Sequence, residues 1–158
     1  MPKTKRTPLA TLDLQVIAIF KKIFIPLARI ALFIVFFWFG FLKLAGMSPA
    51  GPLAEALTVR TVGLELFGIL FTILAIVECL IGILFLIPKA VRVVIPFLFI
   101  HMLIVCAPLV LVADLTWSAP FVPTLEGQYI IKNIVIVALA FGIAAHTEPL
   151  AFQKEGTS

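Results

Sequence analysis

Arg29, Glu78 and His101 each stand inside a long apolar run, and they are the residues of this chain best placed to do chemistry. An ionised side chain at the centre of a membrane-crossing helix costs at least about 2.5–3.5 kcal/mol, so it faces other helices, finds a partner or marks a solute path. Arg29 and Glu78 have complementary charges. A histidine and a paired carboxylate can titrate near neutral pH when their surroundings shift them, which points to proton handling or anion binding. The plainer reading is structural, with an Arg–Glu pair locking two helices together and His101 a satisfied core residue.

A second set gathers at the other membrane face: Lys43, Glu126, Gln128, Lys132 and Asn133, with Glu65 nearby. The stretch "PTLEGQYIIKNIVIV" concentrates four of them at the mouth of an apolar run. With Thr124 as N-cap, Glu126 falls in the first helical turn, where a carboxylate suits the helix dipole. Glu126 and Asn133 then share a face that continues through Val137, Ala140 and Ala144, while Gln128 and Lys132 share the neighbouring one. Lys43 and Lys132 also read as amines snorkelling to the interface. Asn133 reads as a neutral amide bonding across helices.

The elements that must position these groups follow from hydropathy. Of 158 residues, 63% are hydrophobic and 13% charged, and the mean hydropathy is +1.23. At about 20 apolar residues per crossing, the chain holds roughly four spans. The reading is an all-α integral membrane four-helix bundle, with spans at about 23–45, 66–87, 94–115 and 125–146. Residues 1–22 form a basic interfacial segment, with Leu12, Val16, Ile19 and Ile23 at the spacing of a short helix lying on the inner surface before the chain turns in; residues 147–158 form a tail.

Lys3, Lys5, Arg6, Lys21, Lys22, Lys89, Arg92 and Lys154 flank one side of these spans, and Arg60 the other. By the positive-inside rule both termini are cytoplasmic, and Trp117, Phe121 and Tyr129 fall at the outer interface.

Helical spacing sorts the buried faces. Arg29, Phe33, Phe36, Gly40 and Lys43 form one stripe of the first span; Gly68, Thr72, Ala75, Glu78 or Cys79, and Gly82 form a small, polar stripe of the second. At about 1.5 Å per residue, Arg29 lies roughly 9 Å and His101 roughly 10 Å from the inner edge. Glu78 lies roughly 18 Å from the outer edge, or about 12 Å from the inner edge of a core about 30 Å thick. The expectation is a buried inner cluster in which Glu78 pairs with Arg29 and His101 completes the hydrogen bonding.

Several chemistries find no support. Twelve basic residues spread over the membrane flanks make no contiguous nucleic-acid face. Cys79 and Cys106 form no CxxC and read as small buried side chains. His101 and His146 fall at different levels, which gives no metal site and only weak support for a bis-His haem. No Ser/His/Asp arrangement, phosphate-cradling glycine loop or HExxH is present.

Four segments taken together, "RIALFIVFFWFGFLKL", "VECLIGILFLIP", "APLVLVADLTW" and "TLEGQYIIKNIV", resemble the DoxX-like family of small bacterial membrane proteins. A related membrane family that includes a reactive-chlorine resistance protein shares the first, second and fourth more loosely. The resemblance covers about residues 27–146, and the matching positions are Arg29, Gly40, Lys43, Glu78, Lys132 and Asn133.

It implies a four-helix bundle in a bacterial inner membrane, associated with quinone-linked oxidoreductase assemblies or oxidative-stress defence. The partners expected are the bilayer and a protein of an oxidoreductase complex, with a homo-oligomer also open; quinone is the cofactor class to test. The alternatives are a small-solute permease or channel, and a non-catalytic assembly factor.

Overall fold

The computed structural model describes residues 7–147. Lys3, Lys5, Arg6, Lys154 and the tail from 148 onward lie outside the described residues.

Helix α1 runs from Pro8 to Leu44. Thr7 caps it, its hydroxyl accepting from the Ala10 amide at 3.3 Å, and Pro8 sits at the first helical position, where its missing N–H costs nothing. The expected turn into the membrane near Lys22 does not occur, because nothing between Leu9 and Ile25 breaks a helix. Pro26 removes one rung, the amide that would bond to the Lys22 carbonyl, and the helix continues through it. At 37 residues the helix is about 55 Å long, well beyond a hydrocarbon core of about 30 Å.

Helix α2, Gly51–Thr61, was not anticipated. Pro52 in its first turn and the run Leu53–Leu57 of good helix formers account for it. A single 3₁₀ turn, Leu64–Leu66, leads into α3, Phe67–Leu86. Another, Pro88–Ala90, leads into α4, Val91–Cys106.

The third apolar stretch ends at Leu111 rather than Leu115. Pro108 starts a one-turn helix, α5 (Pro108–Leu111), and Val112 leaves helical geometry before α6, Ala113–Thr116. Asp114 is thereby set outside the apolar run.

A short antiparallel hairpin follows, β1 (Trp117–Ala119) against β2 (Val122–Pro123), with Phe121 at φ 62° in its turn. Thr124 then caps α7, Leu125–Ile131, as its sequence predicts, accepting from the Gly127 amide at 3.2 Å. A slight break at Lys132 separates α7 from α8, Asn133–Ala145.

Among the described residues, four stretches are long and apolar enough to cross a membrane: Pro8–Leu44, Leu64–Leu86, Pro88–Leu111 and Leu125–Ala145. Their closest pairing is α1 against α3. A Cβ on Gly40 would lie 2.8 Å from the Ala75 carbonyl oxygen, and one on Gly82 would lie 2.8 Å from the Phe37 amide nitrogen. The two glycines therefore let the backbones touch and fix an antiparallel register, Gly40 level with the Ala75–Cys79 turn and Gly82 level with Phe33–Phe37. Helices α4 and α8 close the other side around Leu32, Phe85, Val94, Leu98 and Ile143.

The long exposed faces carry Trp38, Phe39, Leu103, Ile134 and Val135, which suits contact with a bilayer. Gly68 and Thr72, expected on the packed stripe of the second span, are exposed, since that stripe meets α1 only from Ala75 onward.

Candidate functional site

Glu78 projects from the middle of α3 into the packed side of the helices, and its two carboxylate oxygens meet different partners. Lys43 Nζ donates to Oε2 at 2.5 Å, and His101 Nε2 lies 3.5 Å from Oε1. Side-chain exposure is 8% for Lys43, 8% for Glu78 and 3% for His101. The three side chains come from α1, α3 and α4, so the site knits together three of the four apolar stretches. The His101 ring stands edge-on to Phe36, with centroids 5.7 Å apart. No fully buried side-chain nitrogen or oxygen among the described residues lacks a hydrogen-bond partner.

This corrects the expected pairing. Glu78 and His101 do come together, but the cation between helices α1 and α3 is Lys43 rather than Arg29. The glycine register explains why. Glu78 is level with about residue 39 of α1, so Arg29 stands about ten residues, roughly 15 Å, further along the helix. Arg29 Nη1 instead donates to the Phe85 carbonyl at 3.3 Å, near the far end of α3. Lys43 is one turn beyond Glu78, within reach of its flexible stem.

The remaining rim residues stay apart from this centre. Glu126, Gln128 and Lys132 are exposed, Asn133 is half-buried, and Glu65 is exposed in its 3₁₀ turn. Lys132 Nζ lies 5.3 Å from the centroid of the Tyr129 ring, a cation–π arrangement on an outward surface. Trp117 donates through Nε1 to the Leu109 carbonyl at 2.9 Å.

His146 caps the opposite end of the molecule, Nδ1 lying 2.7 Å from the Gly142 carbonyl and its ring against Phe24. The two cysteines are free and half-buried, Cys79 beside Gly40 on the α1–α3 contact and Cys106 at the end of α4.

A second ion pair escaped the sequence reading. Arg60 at the end of α2 grips Asp114 of α6 with both guanidinium nitrogens, at 2.5 and 2.6 Å, and Nη1 also reaches the Leu111 carbonyl at 3.4 Å. Arg60 is the lone basic residue of its side in the sequence, but hydropathy places Asp114 inside the third span, at about 94–115, which hides the pairing.

Both side chains are about half exposed, at 45% and 56%, so the clasp holds geometry more than it adds stability. The hydrogen bond from Arg60 holds the Asp114 carboxyl below the usual carboxylate range, and the same bond holds the guanidinium above its own ordinary value. A depressed folded-state pKa means that the clasp's contribution is complete above the ordinary aspartate value and is lost as pH falls through the depressed one. A carboxyl-carbon NMR titration should give Asp114 a midpoint below that of a free aspartate. In Arg60→Ala the midpoint should return upward.

Comparison with protein-family models, with curated proteins and with solved structures finds no significant match. The fold and site together define a class: an α-helical protein with four stretches able to cross a membrane and an internal Lys–Glu–His constellation joining three of them.

Proposed function

We propose that the chain is a four-helix bundle of DoxX-like type in a bacterial inner membrane, both termini cytoplasmic, and that it serves as a subunit or partner in quinone-linked or oxidative-stress redox chemistry. The observation that carries the reading is the Lys43–Glu78–His101 constellation. An ammonium, a carboxylate and an imidazole in contiguous contact form a path along which a proton can pass. Quinone reduction needs protons at its carbonyl oxygens as well as electrons. Lys43 supplies a donor for such an oxygen, and Glu78 with His101 supplies the relay. Charges kept at membrane depth, where each is costly, mark function by default. The basic residues within 1–22, 88–92 and the tail support the orientation.

The test is purification in a mild detergent, followed by an absorbance spectrum and a search of the lipid extract for quinone. Quinone should co-purify, and Glu78→Gln should lower its occupancy severalfold while the protein stays folded. A clean preparation of the native protein without quinone overturns the quinone-binding form of the reading.

One observation favours a second reading, that of an assembly factor. Both oxygens of Glu78 already have partners, as they would if the group only locked α1, α3 and α4 together. On that reading Glu78→Gln would alter stability or recovery of a protein partner and leave quinone content unchanged.

A further inference from the structure

Arg29 carries a charge that the Lys43–Glu78–His101 centre does not use. It stands on the packed stripe of α1, between buried Ala28 and Leu32, where a guanidinium with five N–H groups is costly to leave without acceptors. Among the described residues no carboxylate pairs with it, and its hydrogen bond is from Nη1 to the Phe85 carbonyl at 3.3 Å.

The glycine register places the rest of the guanidinium. With Gly82 level with Phe33–Phe37, Leu86 is level with about residue 31, so α3 stops about two residues, roughly 3 Å, short of Arg29. The side chain is therefore half-buried at the end of the packed helices rather than in their middle. The apolar stretches of α3 and α4 end and begin there, at Leu86 and Pro88. For helices that cross a bilayer, that is the level of the headgroups.

Ile30, Leu86 and Ile87 leave apolar surface exposed beside it, and Lys89 follows, also exposed, in the turn four residues beyond the Phe85 carbonyl. Lys22 precedes Arg29 by about two turns on the same face of α1. The acid of that helix, Asp13, is about 24 Å away along it. Glu55, Glu65, Asp114 and Glu126 belong to elements at the opposite end.

We infer that Arg29 and Lys89 form a site for the phosphate group of an anionic headgroup in the leaflet at this end, the inner one in the orientation proposed above. The guanidinium keeps one N–H on Phe85 and offers others to phosphate oxygens, the planar recognition in which arginine exceeds lysine. Lys89 adds a second positive charge, and acyl chains lie against Ile30, Leu86 and Ile87. The inference does not rest on the quinone reading.

Native mass spectrometry of the purified full chain, offered phosphatidylglycerol or zwitterionic phosphatidylcholine, tests it. The native protein should retain phosphatidylglycerol in preference. Arg29→Gln and Lys89→Gln should each lower that retention about fivefold, the scale of one basic residue at an anionic surface, and Arg29→Lys should keep part of it. Lys21→Gln, which removes the same charge from an exposed position at the same end, should lower it less than about twofold.

Equal losses in Lys21→Gln and Arg29→Gln overturn the site, because they would mean a diffuse positive surface. So does unchanged retention in Lys89→Gln, whose change disturbs no buried contact, or equal retention of the two lipids by the native protein. Retention undiminished by millimolar inorganic phosphate supports the headgroup; displacement by it overturns the headgroup in favour of the free anion.

Discussion

Replacing Lys43 by alanine should destabilise the protein by about 3 kcal/mol, the scale on which removing one partner of a buried ion pair leaves the other uncompensated. Glu78→Gln should cost less, about 1–2 kcal/mol, the range for disturbing a buried hydrogen-bonded group. The asymmetry comes from position. Lys43 stands in the last turn of α1 and, without Glu78, its long stem can carry the amine out to the interface. Glu78 stands mid-helix and has no such exit, so in Lys43→Ala it must take up a proton or remain charged beside His101 alone.

Denaturant titration in mixed micelles reads both values, and a larger loss for Glu78→Gln than for Lys43→Ala would refute the assignment. The combined variant Lys43→Met with Glu78→Leu should recover most of the stability, since apolar replacement of an entire buried pair is often neutral. That double variant also separates the two functional readings. Stable protein without quinone means that the charges serve chemistry; stable protein with quinone intact means that they serve only packing.

The four apolar stretches were legible because hydropathy over about twenty residues is a direct statement of burial in hydrocarbon. Thr124 was legible as a cap because its chemistry is local. The partner of Glu78 was not, and the cause is specific. Depth measured along each helix from its own apolar boundary assumes that the boundaries align, whereas α1 continues far past Ile23 and gives no such edge. What aligns the helices is the Gly40 and Gly82 contact. Both glycines were on the expected stripes, and matching them would have moved Arg29 away from Glu78.

Lys43 was set in the outer rim by its Cα, although its side chain spans a helical turn. Helix α2 is hidden in the sequence because a short helix of low hydropathy between two membrane stretches resembles a loop, and Asp114 is hidden because it follows directly on the apolar run that ends at Leu111.

The glycine contact that sets this register should be the least tolerant feature of the fold. Gly82→Val should cost about 3 kcal/mol or more, the upper end for overpacking, because the atoms in its way are backbone. An added Cβ would stand 2.8 Å from the Phe37 amide nitrogen and 3.1 Å from the Phe33 carbonyl oxygen. No rotamer change relieves that approach, so α1 must move off α3. Moving it also opens the Gly40–Cys79 contact about one turn away and draws Lys43 from Glu78.

Gly40→Ala should act in the same direction, with 2.8 Å to the Ala75 carbonyl oxygen, and the two changes should combine less than additively because they break one contact. Gly68 provides the contrast. It lies on the same sequence stripe, but nothing stands within 4 Å of its added Cβ, so Gly68→Ala should be neutral or stabilise slightly, by up to about 1 kcal/mol from helix propensity. Equal losses at Gly68 and Gly82 would mean that α1 and α3 are not held in this register. A neutral Gly82→Val would remove the close approach itself, and with it the geometric reason that Lys43, rather than Arg29, reaches Glu78.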